Sequence, residues 1–189
     1  MAFVVIYDAC VLYPAPLRDL LIRLARTGVV RARWSALILD ECFSNILEQR
    51  PDLSAAHLAR TRDLMVRAVP DCMVDGFDDL IAGLSLPDAD DRHVLAVAIR
   101  AGAQTIVTFN LKDFPAESLA LYGVEAQHPD DFVLDLLDLA PAAVLSAVNA
   151  QLAALKNPPQ TLGQLLDTFR SQGLAQSVAR LRELLPTGV

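Results

Sequence analysis

The sequence has few of the features that mark membrane, secreted or disordered chains. Its longest apolar runs, such as residues 2–7 and 139–145, are far shorter than the roughly 20 residues that a membrane-spanning helix needs. No basic segment followed by a long apolar stretch opens the chain, so we expect no secretory signal. Hydrophobic residues make up 53% of the 189 residues and charged residues 21%. This balance is typical of one globular domain, or of one domain with an appendage.

Cysteine is scarce, and its spacing excludes the common cysteine-based sites. The three residues Cys10, Cys42 and Cys72 are widely separated, and no C-x-x-C pair occurs. Neither a zinc ribbon nor a thioredoxin motif is therefore indicated. We expect the cysteines to be small buried hydrophobic residues of a protein that works in a reducing cytoplasm.

The common catalytic signatures are missing too. The chain contains no G-x-G-x-x-G, no P-loop and no G-x-S-x-G elbow. Binding of a dinucleotide or a nucleoside triphosphate, and serine-based hydrolysis on a nucleophile elbow, are thus unsupported. The three histidines show no recognisable metal-ligand spacing.

Basic charge is in deficit, with a formal net charge of −7. This charge argues against a protein that binds duplex nucleic acid through a broad basic surface. It does not exclude a metal-dependent nuclease, because the carboxylates of such an enzyme count as negative until the metal binds. Of the 16 basic residues, 14 are arginine, which suits bidentate contacts with phosphate. The simpler interpretation of the same arginines is that they lie on solvated helix faces.

Short apolar strands alternate with helical segments over the first two thirds of the chain. Residues 3–7 and 105–108 are predicted to be buried strands, and a further short strand is predicted around Val124. Helices are predicted to begin near Pro16, Ser35 and Ser54, and another covers residues 94–101. This alternation predicts an α/β fold with a mainly parallel sheet. Ligands bind such sheets at the carboxyl ends of the strands.

The pattern changes at Pro129, after which only helices are predicted. Thr161 and Gln164 match a capping box, and a final amphipathic helix follows. We divide the chain into a domain over residues 1–135 and a C-terminal helical extension over residues 136–189. Whether the extension completes the fold, forms a dimer interface or contacts a partner is left open by its amphipathic pattern.

Carboxylates follow the predicted strands and begin the predicted helices. They are Asp8 after the first strand, Glu41 on the helix that begins at Ser35, Asp88, Asp90 and Asp91 before residues 94–101, and Asp113 after residues 105–108. Each residue alone has an ordinary interpretation as a helix cap, a helical surface residue or a turn residue. Together they are hard oxygen ligands that suit Mg²⁺ or Mn²⁺, and their mutual repulsion would be costly without a cation.

Four segments carry these carboxylates in an order that resembles a known family. The segments V-I-Y-D-A-C, L-I-L-D-E-C, P-D-A-D-D-R-H-V-L-A-V-A and V-T-F-N-L-K-D-F look like the acidic motifs of PIN-domain nucleases. The likeness is greatest to the VapC toxin components of VapBC-type toxin–antitoxin pairs, and it covers about residues 3–135. The resemblance implies a Rossmann-like fold, cleavage of RNA with Mg²⁺ or Mn²⁺, a homodimer and inhibition by a cognate antitoxin.

The resemblance also implies roles for individual residues. It assigns the metal ligands to four positions: Asp8, Glu41, either Asp90 or Asp91, and Asp113. Helical phase favours Asp91 over Asp90 without excluding Asp90. Asn110 stands where many relatives carry Asp, and Ala9 where relatives often carry Thr, Ser or Asn. Asn110 is accordingly expected to position substrate or to ligate through water, and the number of metal ions is left open.

The predicted function is that of a metal-dependent endoribonuclease, which cleaves RNA phosphodiesters through a metal-activated water as the toxin of a toxin–antitoxin pair. Glu41 is expected to bind the ion directly or through water and to orient the attacking water. The alternative is a catalytically silent PIN-fold module that binds RNA or protein, with its carboxylates paired to arginine. A phosphatase with Asp8 as nucleophile is disfavoured, because Cys10 stands where that chemistry usually has a second Asp.

Overall fold

A four-stranded parallel sheet forms the centre of the computed structural model, which describes residues 3–185. The strands are β1 (Phe3–Tyr7), β2 (Val30–Arg33), β3 (Thr105–Val107) and β4 (Glu125–Gln127), in the spatial order β2-β1-β3-β4. Every neighbouring pair is parallel, so the carboxyl ends of all four strands lie at one edge. The predicted α/β fold with a mainly parallel sheet is confirmed.

Helices flank this sheet and make up the C-terminal part of the chain. Seven lie before or between the strands: α1 (Ala9–Leu12), α2 (Ala15–Arg26), α3 (Ala36–Gln49), α4 (Ala55–Ala68), α5 (Asp78–Ile81), α6 (Arg92–Ala101) and α7 (Ala116–Ala120). Four follow β4: α8 (Pro129–Leu139), α9 (Pro141–Ala154), α10 (Leu162–Ser171) and α11 (Ala175–Leu184). Over residues 3–185, no helix is long and apolar enough to cross a membrane.

Local signals in the sequence set several of these boundaries. The Ser35 hydroxyl accepts a hydrogen bond of 3.2 Å from the Ile38 amide, which caps α3. Gly102 ends α6 with φ at +61°, a left-handed conformation that glycine adopts at little cost. The capping box before α10 is present, with both hydrogen bonds between Thr161 and Gln164 formed. These three boundaries agree with the sequence signals that predicted them.

Two predictions about strands were incomplete. Strand β2 was not predicted, because its sequence V-R-A-R holds only two apolar residues. Val30 and Ala32 are buried while Arg31 is exposed, and the strand is recognisable from its pairing with β1. The short strand predicted near Met73 is only a single bridge, in which Met73 pairs with Trp34.

Specific polar contacts join the C-terminal helices to α2 and to one another. Gln151 on α9 donates a 2.9 Å hydrogen bond to the Pro16 carbonyl at the start of α2. The buried Asp130 on α8 accepts hydrogen bonds of 2.9 and 2.8 Å from the backbone amides of Gln176 and Ser177. Its carboxylate thereby caps the first turn of α11. Helix α8 runs through the proposed boundary between residues 135 and 136, and that division stays a prediction.

Candidate metal centre

Asp8 lies at the carboxyl end of the central strand β1 and is 5% exposed. Its Oδ2 accepts hydrogen bonds from the Thr108 hydroxyl at 2.7 Å and from the Cys10 thiol at 3.2 Å. Its Oδ1 accepts a hydrogen bond from the Ala9 amide at 2.7 Å. Among residues 3–185 this oxygen has no second donor, so one of its lone pairs is available to a ligand. Burial raises the pKa of Asp8, while these three hydrogen bonds act to lower it.

Three further carboxylates converge just beyond the ends of the strands. Ligand oxygens of Asp88, Asp91 and Asp113 all lie within 4.8 Å of one another. Asp91 precedes α6, and Asp113 ends a short 3₁₀ helix that follows β3. Because the structure brings these three side chains together from two separate segments, their oxygens form a candidate site for a cation.

The charges of this cluster act on one another. The pKa of Asp91 is raised to about 6, first by burial and then by the charges of its neighbours. Four carboxylates contribute to this rise: Asp8, Asp88, Asp113 and Glu41. Asp8 and Glu41 are therefore close enough to the group to interact with it, although neither belongs to the group of three. A cation bound here would remove the repulsion that raises this pKa.

Glu41 projects from α3 toward the beginning of α6. Its Oε2 lies 3.3 Å from Nε2 of His93. The His93 side chain is 14% exposed, against 43% for Glu41, and within residues 3–185 its buried Nδ1 has no hydrogen-bond partner. The contact therefore holds the imidazole beside the Glu41 carboxylate.

The alternative third ligands are separated by their geometry. Asp90 is exposed, and its backbone amide donates a 2.9 Å hydrogen bond to Oδ1 of Asp88. In the part of the chain that the structure describes, the group of converging carboxylates contains Asp91 and not Asp90. Asn110 lies beside this group, with its Nδ2 at 3.4 Å from Oδ2 of Asp91. The geometry is that of a positioning residue, and the roles of these residues stay predictions.

Sequence reasoning missed three residues of the centre. Asp88 was noted in the acidic segment but not assigned as a ligand, although its spacing of three from Asp91 is a usable signal in a turn. Thr108 ends a predicted strand, and only the pairing of β1 with β3 brings its hydroxyl to Asp8. The contact of His93 with Glu41 gave no signal in the sequence, because Glu41 lies 52 residues earlier in the chain.

The donor set fits a hard divalent cation. The residues that converge offer carboxylate oxygens, which suit Mg²⁺ or Mn²⁺ rather than zinc. The one cysteine beside the centre, Cys10, is a poor ligand, because burial and then the charge of Asp8 raise its thiol pKa to about 12. The thiol thus stays protonated and serves as a hydrogen-bond donor to Asp8.

Two family models match the chain, one on each part. The model of the PIN domain matches residues 4–112, and the model of the VapC50 C-terminal domain matches residues 129–183. The first match covers strands β1 to β3 and the acidic cluster up to the residue before Asp113, and it ends before β4. The second match begins at α8 and covers the helices that follow β4.

A curated relative supports the same grouping. The chain is 44% identical over 113 residues to a protein of Mycobacterium tuberculosis (strain ATCC 25618 / H37Rv) named "Putative ribonuclease VapC50". The aligned part covers 60% of this chain and 66% of the relative, which is just under two thirds of the relative's length. No solved structure matched the chain significantly.

Proposed function

The chain belongs to the PIN domain family, and from that premise we propose that it is an endoribonuclease that depends on Mg²⁺ or Mn²⁺. The observation that carries the proposal is the group of Asp88, Asp91 and Asp113, whose oxygens lie within 4.8 Å of one another beside the buried Asp8. Four carboxylates at one edge of a parallel sheet repel one another unless a cation offsets their charge. The relative's name, which contains the word ribonuclease, supports RNA as the substrate.

In this proposal Asp8, Asp91 and Asp113 hold the ion, Asp88 assists, and Glu41 contributes directly or through water. When bound, the ion would supply Lewis-acid stabilisation of charge on a phosphate oxygen and would acidify a water molecule. The raised pKa of Asp91 is consistent with this role, because a carboxylate destabilised by its neighbours gains most from a cation.

The remaining residues orient the reacting groups. Glu41 is expected to orient the attacking water and to accept its proton, and His93 holds the Glu41 carboxylate through the 3.3 Å contact. Asn110 is expected to position the RNA backbone beside Asp91. Attack by water forms a new P–O bond and breaks the bond from phosphorus to the ribose O3′. The departing O3′ takes up a proton from solvent, so the products are a 5′-phosphate and a 3′-hydroxyl.

The first experiment compares neighbouring acidic residues. We expect Asp91→Asn to reduce Mn²⁺-dependent cleavage of a mixed RNA pool by roughly 100-fold or more. Loss of a metal ligand should reduce activity at least as much as loss of a residue that hydrogen-bonds to a ligand. Asp90→Asn is the matched control, since it makes the same change of charge one residue away on an exposed side chain. We expect the control to cleave like the wild type.

Two results would contradict the assignment. Full activity of Asp91→Asn together with loss of activity in Asp90→Asn would move the third ligand to Asp90. A wild-type protein that neither cleaves the pool nor gains thermal stability with Mn²⁺ would favour the catalytically silent binding module. Analysis of the ends tests the chemistry separately, because a cyclic phosphate would point to attack by the ribose 2′-hydroxyl instead of water.

We also propose that the protein acts in the cytoplasm as the toxin of a toxin–antitoxin pair, as a homodimer inhibited by a cognate antitoxin. The match to the VapC50 C-terminal domain and the named relative support this role. Expression of the chain alone is expected to arrest growth, and co-expression of a neighbouring short reading frame is expected to relieve the arrest. Light scattering of the purified protein tests the dimer independently of activity.

A further inference from the structure

Phe109 joins two residues that touch the carboxylates of the candidate metal centre. The residue before it, Thr108, donates a 2.7 Å hydrogen bond to Asp8, and the residue after it, Asn110, lies 3.4 Å from Asp91. The Phe109 amide itself donates to the Cys10 sulfur at 3.3 Å. Any displacement of the Phe109 backbone would therefore move both of its neighbours relative to the centre.

The ring of Phe109 lies against the C-terminal helical region. Its centroid is 5.2 Å from that of the His128 ring, with the two planes at 73°. On its other contact it meets Gly173, where a Cβ atom would lie 3.1 Å from the ring carbon Cε1 of Phe109. Gly173 has φ at +93°, so both its backbone conformation and its lack of a side chain suit this close approach.

Backbone and side-chain hydrogen bonds fix the turn that contains Gly173. It connects α10 to α11, and the amide of the buried Leu174 donates a 3.1 Å hydrogen bond to the Phe169 carbonyl. Asp130 binds the first turn of α11, and its own amide donates to Nδ1 of His128 at 3.1 Å. The two surfaces that contact the Phe109 ring, Gly173 and His128, are thus connected to each other through Asp130.

We propose that Gly173 is a positioning residue, through which the C-terminal helical region sets the affinity of the metal centre. The Gly173 turn and His128 hold the Phe109 ring, and the ring holds Thr108 and Asn110 in place against Asp8 and Asp91. The inference rests on the proposed function, since it assumes that these carboxylates bind a divalent cation. It gives the region that follows α8 a role in the chemistry of the sheet domain.

The test is a titration of the purified 189-residue chain with Mn²⁺, followed by calorimetry and by thermal unfolding. Gly173→Ala places a Cβ atom against Phe109 and strains a left-handed backbone. Gly28→Ala is the matched control, because Gly28 has φ at +80° with no atom within 4 Å of an added Cβ. Gly28 precedes β2 and so lies at the sheet edge opposite to the metal centre.

Both glycine variants are expected to unfold at lower temperature, because alanine disfavours positive φ. Only Gly173→Ala is expected to weaken Mn²⁺ binding, by about threefold or more, as found for residues that modulate a site without touching its ligand. Phe109→Leu leaves Gly173 intact and removes the ring that it contacts. This variant is also expected to weaken Mn²⁺ binding, and it covers the case in which Gly173→Ala does not fold.

The double variant separates a positioning role from a loss of stability. Adding Gly173→Ala to Phe109→Leu is expected to lower the Mn²⁺ affinity less than it does in the wild type, because the atom that the new Cβ meets is gone. Equal Mn²⁺ affinity of Gly173→Ala and Gly28→Ala, or wild-type affinity of Phe109→Leu, would overturn the inference. A wild-type protein that binds no Mn²⁺ would instead overturn the proposed function on which the inference rests.

Discussion

Replacing Thr108 by Val is expected to destabilise the protein by removing a short, buried side-chain hydrogen bond to Asp8. The Thr108 hydroxyl is buried and donates to Oδ2 of Asp8 at 2.7 Å, and it accepts from the Asn110 amide at 2.9 Å. Val has the same branched shape, so packing in the strand is retained. Hydrogen bonds to charged groups contribute about 1.5–3 kcal/mol, and the Asn110 amide also loses its partner. We expect a loss of about 2–3 kcal/mol in the free energy of unfolding at neutral pH.

Thermal unfolding without metal, followed by circular dichroism, measures this loss. For a chain of this length, 1 kcal/mol corresponds to roughly 2–4 °C, so Tm is expected to fall by about 4–12 °C. Thr105→Val is the matched control, because Thr105 is also buried on the same strand segment. Its hydroxyl makes only a long 3.5 Å contact with Glu125. We expect the control to change Tm by less than about 2 °C.

The difference between the two variants is expected to depend on pH. Burial raises the pKa of Asp8, and the Thr108 hydrogen bond opposes that rise because it favours the ionised form. As pH falls, Asp8 takes up a proton in the folded state. The hydrogen bond that Thr108→Val removes is then one to a neutral group, so its removal costs less stability. The gap between Thr108→Val and the wild type should therefore narrow in acid. Equal Tm values for Thr108→Val and Thr105→Val at neutral pH would refute the reasoning.

Three more predictions follow from other contacts. Asp91 has a pKa of about 6 in the folded protein, so between its ordinary pKa and 6 the folded state holds a proton that the unfolded state has lost. The free energy of unfolding without metal should then fall as pH rises through this window. The gain in Tm that Mn²⁺ produces should grow as pH passes 6. A gain in Tm that stays the same from pH 5 to 8 would contradict the prediction. His93→Ala should lower kcat by roughly 10–100-fold through loss of its contact with Glu41, with partial recovery in His93→Gln, which keeps a donor. Steady-state cleavage assays measure this, and unchanged kcat in His93→Ala would count against the positioning role. Asp130→Asn should lower the free energy of unfolding, measured in urea, by about 1–2 kcal/mol, since the carboxylate caps α11. Asp131→Asn, at an exposed residue, should lower it less. Equal losses in the two variants would argue against the cap.

Most of the fold was predictable, because its signals are local in the chain. The five apolar residues of β1 and the glycine that ends α6 lie within or next to the elements that they define. Strand β2 was missed, since its two arginines hide a short buried strand that becomes visible only through pairing with β1. A strand was predicted near Met73 because the residues there are apolar. In the structure they form a single bridge with Trp34 and no ladder, so pairing again decides the outcome.

The sequence indicated most carboxylates of the candidate metal centre, but neither the place of Asp88 among them nor their contacts. The order of Asp8, Glu41 and Asp113 along the chain, each near the end or start of an element, carries the resemblance to PIN-domain nucleases. The preference for Asp91 over Asp90 depends on the path of the turn before α6, where the carboxylates of Asp88 and Asp91 converge. Helical phase favoured Asp91 without excluding Asp90, because both residues lie in a turn before the first residue of α6.

The sequence by itself determined the elements with strong local patterns, the class of chemistry that a set of carboxylates can perform, and the family. Only the tertiary structure decided which groups touch. Thr108 contacts Asp8, which lies 100 residues earlier in the chain. Gly173 contacts Phe109, which also lies far from it in the sequence. These contacts are formed by packing between distant segments, and their geometry depends on all the elements that separate them. A local pattern carries the propensity of a segment, whereas a distance between two segments is a property of the whole fold.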